Sequence, residues 1–204
     1  MTRLAFLFDS GTCSGCKTCQ VACKDKNDLP VGQSWRRVYE VSGGGWKKEG
    51  ASWKQDVFAY NLSISCNHCA DPICARSCPT KAIRKREDGI VLIDQDSCIG
   101  CKYCSWVCPY GALQFNPDKG VMGKCDLCAD YVDQGKNPVC VDACPMRSLE
   151  FGDYAELVKK HGDSGHVYPL PPASVTDPSV VIRAHKDADG AGGSVANIEE
   201  VKNA

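Results

Sequence analysis

The sequence predicts an α+β fold of two small units, one inserted in the other, with loop insertions and an extended C-terminal arm. Three observations predict it. The sixteen cysteines of this 204-residue chain fall in four groups of four, with none left over. Short β-prone runs closed by tight-turn residues alternate with those groups. Proline, and then glycine, alanine and aspartate, dominate the C-terminal segment.

In chain order, Leu4 to Phe8 reads as a strand leading into the first group. Its apolar run stops at Asp9 and is too short for a signal h-region or a membrane span. No other segment approaches the roughly 18 apolar residues of a span, so the chain is expected to reach a membrane only through another subunit. Residues 24–65 form a large insertion carrying Trp35, Trp46, Trp53 and a flexible Gly43-Gly44-Gly45, read as a loop with a small sheet. Val57 to Ile64 is its last strand and enters the second group. Ala82 to Asp94 reads as a hairpin, because Asp88-Gly89 between two β-prone runs is a strong two-residue turn signal. Ala112 to Phe115, then Asn116-Pro117-Asp118-Lys119-Gly120, then Val121-Met122 repeats that plan after the third group. Ser148 to Phe151 is the matching strand after the fourth, and Tyr154 to His161 a short helix. Pro169, Pro171, Pro172 and Pro178 argue for an extended arm, and residues 186–204 for an extended or mobile tail. Wrapping of a partner and plain disorder are both open for it.

The groups are Cys13, Cys16, Cys19, Cys23; Cys66, Cys69, Cys74, Cys78; Cys98, Cys101, Cys104, Cys108; and Cys125, Cys128, Cys140, Cys144. Each begins C-x2-C and ends C-x3-C, and Pro79, Pro109 and Pro145 follow the last cysteine of three of them; the first has Lys24 there. Three cysteines at such intervals curl a loop around one iron–sulfur cluster, with backbone amides aimed at the sulfurs. The fourth, in a short helical turn ended by proline, faces a neighbouring cluster, as in two-cluster ferredoxins. Eight disulfides would need an oxidising compartment, and close C-x2-C pairs are poor crosslinks. Zinc sites usually pair two C-x2-C knuckles and often include histidine. A purely structural role needs one cluster, not four. The second and third groups then make one ferredoxin-like unit, residues 66–108. The first and fourth make the outer unit, residues 1–23 plus 109–165, leaving 24–65 as the insertion and 166–204 as the arm and tail.

Other features compete for attention. The histidines are His68, His161, His166 and His185. His68 lies inside the second group, placed to tune a cluster by hydrogen bonding without ligating it. Arg84-Lys85-Arg86 reads as a solvated hairpin edge or a partner contact, Asn61-Leu62-Ser63 as a sequon lost in a strand, and Trp106 as packing near a cluster. The net charge of −1 gives no case for nucleic acid. There is no Walker loop, no dinucleotide fingerprint and no nucleophile with its base, so a reactive cofactor must sit in a partner.

The array resembles the iron–sulfur subunits of the molybdopterin oxidoreductases, in the dimethyl sulfoxide reductase branch. The carrying residues include Cys13-Ser14-Gly15-Cys16-Lys17-Thr18-Cys19, Ser63-Ile64-Ser65-Cys66-Asn67-His68-Cys69, Lys85-Arg86-Glu87-Asp88-Gly89, Cys108-Pro109-Tyr110-Gly111-Ala112 and Lys159-Lys160-His161-Gly162-Asp163. The resemblance implies crossed ligation. The first cluster takes Cys13, Cys16, Cys19 and Cys144; the second Cys125, Cys128, Cys140 and Cys23; the third Cys66, Cys69, Cys74 and Cys108; the fourth Cys98, Cys101, Cys104 and Cys78. In the nitrate reductase branch a tryptophan replaces the second cysteine of the third group and leaves a three-iron cluster. Cys101 stands there in this chain, so four [4Fe–4S] clusters are expected. The resemblance further implies a relay from a quinol-oxidising integral membrane subunit to a large molybdopterin catalytic subunit. The chain would stay in the cytoplasm or be exported with a partner bearing a twin-arginine signal. A free soluble polyferredoxin is the alternative; the insertion and the arm favour the relay.

Overall fold

β1 (Leu4–Asp9) is followed by α1 (Thr18–Lys26), β2 (Arg37–Gly43), β3 (Trp46–Glu49), β4 (Ser52–Gln55) and β5 (Phe58–Ile64). Then come α2 (Ile73–Arg76), β6 (Ile83–Lys85), β7 (Val91–Ile93), α3 (Tyr103–Val107), β8 (Gln114–Asn116) and β9 (Val121–Gly123). The chain continues through α4 (Ala129–Val132), α5 (Val139–Asp142), β10 (Leu149–Asp153), α6 (Tyr154–His161), a 3-10 turn at Ala173–Val175, β11 (Val180–Arg183), β12 (Ser194–Val195) and α7 (Ile198–Asn203). This computed structural model describes residues 2–163, 167–188 and 193–203. The fold is α+β and ferredoxin-like, with short helices among small sheets.

β1 is the middle strand of the sheet β10-β1-β11, antiparallel to β10 and parallel to β11. A strand turns alternate side chains to opposite faces, and here both faces are covered. Phe6 and Phe8 enter the main core, while Ala5 and Leu7 pack against Leu157 and Val181 beneath α6. This is why Ala5 to Phe8 is continuously apolar. Asp153 caps α6, its carboxylate accepting the amides of Ala155 at 3.0 Å and Glu156 at 3.3 Å.

Both hairpins form where turn chemistry places them. Gly89 sits at φ 92° between β6 and β7, and the Asp88 carboxylate accepts the Ile90 amide at 3.1 Å. Asn116 accepts the amides of Asp118 and Lys119 at 3.0 and 3.1 Å between β8 and β9. Ile83, Val91, Leu113 and Met122 from the two hairpins close a second core with Cys74 and Cys104.

In the insertion, β2 pairs with β5 across seven residues each, and β3–β4 forms a separate exposed hairpin bearing Trp46 and Trp53. The arm and tail are more structured than their composition indicates. β11 joins the central sheet, and β12 adds a third strand to β2. The Asn197 side chain donates to the Val38 carbonyl at 2.9 Å and accepts the Glu40 amide at 2.9 Å. Lys17 bridges Glu40 at 2.8 Å and Glu200 at 2.6 Å. His166 and residues 189–192 of the tail lie outside the described residues.

Candidate metal centres

The four cysteine loops share one backbone device. The residue before the second cysteine has positive φ in every group: Gly15 at 70°, His68 at 41°, Gly100 at 66° and Leu127 at 61°. A left-handed residue there turns the loop back on itself, so that its cysteines line one concave side. Glycine serves where space is shortest. A Cβ on Gly15 would lie 2.6 Å from the Asn61 side-chain oxygen, and one on Gly100 would lie 2.1 Å from the Gly120 carbonyl oxygen. Three residues after the last cysteine, Lys81, Gly111 and Arg147 take φ of 54°, 58° and 53°. Their amides return to the carbonyls of Cys78, Cys108 and Cys144 at 3.2, 3.2 and 3.3 Å. The first group departs from this turn, as Lys24 in place of proline implies. α1 runs on to Lys26, and the Lys24 ammonium donates to the carbonyls of Pro30 at 2.6 Å and Gln33 at 2.7 Å.

All sixteen thiols are free. Cys13, Cys16, Cys19 and Cys144 line one cavity, with Phe8 and Leu149. Cys66, Cys69, Cys74 and Cys108 line another, with Tyr110 and Thr176. Cys98, Cys101, Cys104 and Cys78 line a third, with Ile83 and Met122. Cys23 meets Cys125, Cys140 and Cys128 where α1 packs on α5, and all four are buried. Among the described residues, no three His, Cys, Asp or Glu side chains converge on a point as a single ion requires. Four thiols around a void, with hydrogen-bond donors aimed inward, fit a multi-atom iron–sulfur cluster. Those donors include the amides of Leu127 toward Cys125 at 3.4 Å and Met122 toward Cys98 at 3.5 Å, and the Thr18 hydroxyl toward Cys16 at 3.3 Å.

The sets are neighbours in a row. Cys19 feels the charge of Cys140, and Cys125 that of Cys66, while Cys74 and Cys104 share the core beneath the hairpins. Burial pushes the thiols of Cys13, Cys69 and Cys104 up to about 11, and those of Cys74 and Cys128 up to about 12, with cysteines of the same set adding to the rise. Iron must displace those protons on binding. Cys16 behaves oppositely, its pKa lowered first by the Thr18 hydroxyl. Cys16 and Cys101 are the two exposed cysteines, one in each end set of the row.

His68, Lys124 and Arg36 are buried beside the thiols. His68 is buried, and its Nδ1 accepts the Val91 amide at 2.9 Å, which leaves the proton on Nε2. That Nε2 has no partner among the described residues. Burial, then the charges of Lys124 and Arg36, hold the ring's pKa well below its usual value, so it is neutral. The Lys124 ammonium donates to the carbonyls of Val91 and Cys125. Arg36 lies over the Phe6 ring at 4.5 Å and donates to the hydroxyls of Ser63 and Ser65, both at 3.2 Å. Arg36 escapes a reading of the sequence, because a cation in an irregular insertion carries no local signal of burial. The sequence reads Trp106 as packing near a cluster; it is not packed but 79% exposed, and meets Tyr103 edge-on at 6.4 Å. Arg86 pairs with Asp88 at 2.8 Å and Asp133 at 2.6 Å, so this part of the basic run serves the fold. Asn61 reaches the Cys13 carbonyl at 3.2 Å, with Leu62 and Ser63 buried beside it.

Comparison with known proteins agrees with this chemistry. The 4Fe-4S dicluster domain family matches residues 57–154. The chain is 53% identical over 203 residues to the B subunit of anaerobic dimethyl sulfoxide reductase from Escherichia coli, covering 98% of this chain and 99% of that subunit. It is 47% identical over 205 residues to the same subunit from Haemophilus influenzae, covering 98% and 100%. It is 38% identical over 174 residues to a formate dehydrogenase iron-sulfur subunit of Wolinella succinogenes, covering 74% and 82%. Sixteen cysteines, twelve of them lining three cavities, with identity across nearly the whole length, place the chain in the family of anaerobic dimethyl sulfoxide reductase B subunits, the electron-transfer subunits that carry four [4Fe–4S] clusters and are not catalytic alone.

Proposed function

We propose that the chain relays electrons from a quinol-oxidising integral membrane subunit to a large molybdopterin catalytic subunit, in a respiratory reductase of the dimethyl sulfoxide reductase type. When bound, the clusters supply one-electron storage at four points. The cysteines divide as Cys13, Cys16, Cys19, Cys144; Cys125, Cys128, Cys140, Cys23; Cys66, Cys69, Cys74, Cys108; and Cys98, Cys101, Cys104, Cys78, and the row runs in that order from the molybdenum side to the quinol side.

One observation carries the reading. Only Cys16 and Cys101 are exposed, at opposite ends of the row, while the Cys23, Cys125, Cys128 and Cys140 set is wholly buried. A relay needs two open ends and an insulated middle. Ile99, Tyr103 and Trp106 leave an apolar rim around the Cys101 end, suited to a membrane subunit. Among the described residues no helix is long and apolar enough to cross a membrane, so membrane association falls to the partners. The complex then works on the cytoplasmic face, or beyond it if a twin-arginine signal on the catalytic subunit exports both.

Anaerobic purification with metal and sulfide analysis, beside EPR of the reduced sample, tests this. About sixteen irons per chain, at four per cluster, with molybdenum on a larger co-purifying subunit are expected. Sixteen irons without partner or molybdenum would point to a free polyferredoxin, and zinc would end the electron-transfer reading. Cys101→Ser should disturb one cluster only, converting it to a three-iron form seen by EPR. Loss of all four together would break the proposed sets.

A further inference from the structure

Arg36 is a buried cation with no carboxylate partner. It is 2% exposed, no ion pair joins it to an acid among the described residues, and Asp and Glu are absent from their buried polar side chains. Its Nη atoms are held by Ser63 and Ser65, and its Nε is buried without a partner. An unpaired charge in such a place costs several kcal/mol, so the fold must supply negative charge there. The groups in reach that become anionic when a cluster binds are cysteines of two sets, Cys19 of one, and Cys140, Cys125 and Cys23 of the next, with Cys140 within hydrogen-bond reach. Arginine suits the position because its guanidinium keeps its proton even in a dry interior.

We infer that Arg36 is a positioning residue for electron transfer, the fixed counter-charge shared by the two clusters of the outer unit, which holds up the potential of both. The inference rests on the ligand sets proposed above. Adding an electron to a cluster adds one negative charge. A cation fixed beside it in a low-dielectric interior favours the reduced state, by the same burial and hydrogen-bond effects that spread cluster potentials. Arg36 lies beside Cys140 of one set and reaches Cys19 of the other through Ser63, so its charge raises both. The Ser63 hydroxyl serves both ends of this contact, because it also meets the Cys19 sulfur at 3.3 Å.

The test is an EPR-monitored redox titration of the intact anaerobic complex, with signals assigned by one cysteine variant per set. Arg36→Met should lower the potentials of the Cys13 and Cys125 clusters enough to cut the reduced-to-oxidised ratio at a given potential about tenfold, or 59 mV for a one-electron couple. The Cys66 and Cys98 clusters should move far less. Arg36→Lys, which keeps the charge, should stay near the wild-type potentials. Four loaded clusters with unmoved potentials in Arg36→Met overturn the inference, as do equal falls in the Met and Lys variants. If Arg36→Met does not load iron, Arg36→Gln replaces it in the titration under the same criteria. Loading by Lys but by neither neutral variant supports the charge balance, and failure of all three overturns it in favour of packing alone. A wild-type complex without four clusters defeats the ligand sets instead, a result separate from any change in the variants.

Discussion

At Gly100 a hydrogen in place of a side chain decides whether a cluster loop closes. The residue holds φ 66°, and a Cβ there would meet the Gly120 carbonyl oxygen at 2.1 Å, a backbone atom that cannot swing aside. Gly100→Ala therefore strains both the loop and the turn after β8, at a cost on the order of 1–3 kcal/mol for the dihedral alone. The expected result is loss of the Cys98 cluster, about four irons per chain, with the other three intact by metal analysis and EPR. Retention of all the iron would show that the turn yields. His68 and Leu127 hold the same position in two other groups without glycine, so the sequence displays the device in only half of its occurrences.

Among the elements, the tail shows how a polar segment is held without a core of its own. β12 contributes two residues to the sheet of β2, and α7 buries Val201. Asn197 and the Lys17 bridge provide the other anchors. Lys17 is partly exposed, so removing it should cost no more than about 1 kcal/mol of global stability. Its effect is local. In Lys17→Ala, amide exchange should quicken at Val195 and through α7, while iron content and the exchange of β1 stay as in the wild type. Unchanged exchange in the tail would mean that Asn197 and the strand pairing suffice.

The whole molecule is built around its groups of thiols, and its stability follows from what they hold. Cysteines of every set belong to the two larger cores or pack on them, so removing iron leaves thiols around empty space. Chelation should unfold the chain cooperatively, read by far-UV circular dichroism as the iron leaves. Any fold that survives should weaken in alkali. An ordinary thiol titrates at 9.0, and burial raises Cys13, Cys69 and Cys104 to about 11 and Cys74 and Cys128 to about 12. A raised folded value stabilises the neutral form, so that contribution is complete below pH 9.0 and is lost as pH rises through 11 to 12. Thermal melting of the iron-free chain across this range checks the sign. A melting point that climbs with pH would contradict it.

The sequence alone determined the cysteine array, the α+β class, both hairpins, the strands at Leu4 and Phe58 and the helix at Tyr154. Each rests on residues close in the chain: cysteine spacing, Asp88-Gly89, the Asn116 turn, the Asp153 cap. Lys24 was legible for the same reason, since a missing proline lets a helix continue. Tertiary structure decided what depends on distant residues. It brought Cys144 to Cys13 and Cys23 to Cys125, turned the proline-rich arm into a strand beside β1, docked the tail on β2 and left Trp106 in solvent. It also buried Arg36, which reads in the sequence as an ordinary basic residue beside Arg37. Local spacing sets how a loop curls. Which loops meet, and which charge is shut between them, is set by chain closure across more than a hundred residues, and short-range patterns carry no record of it.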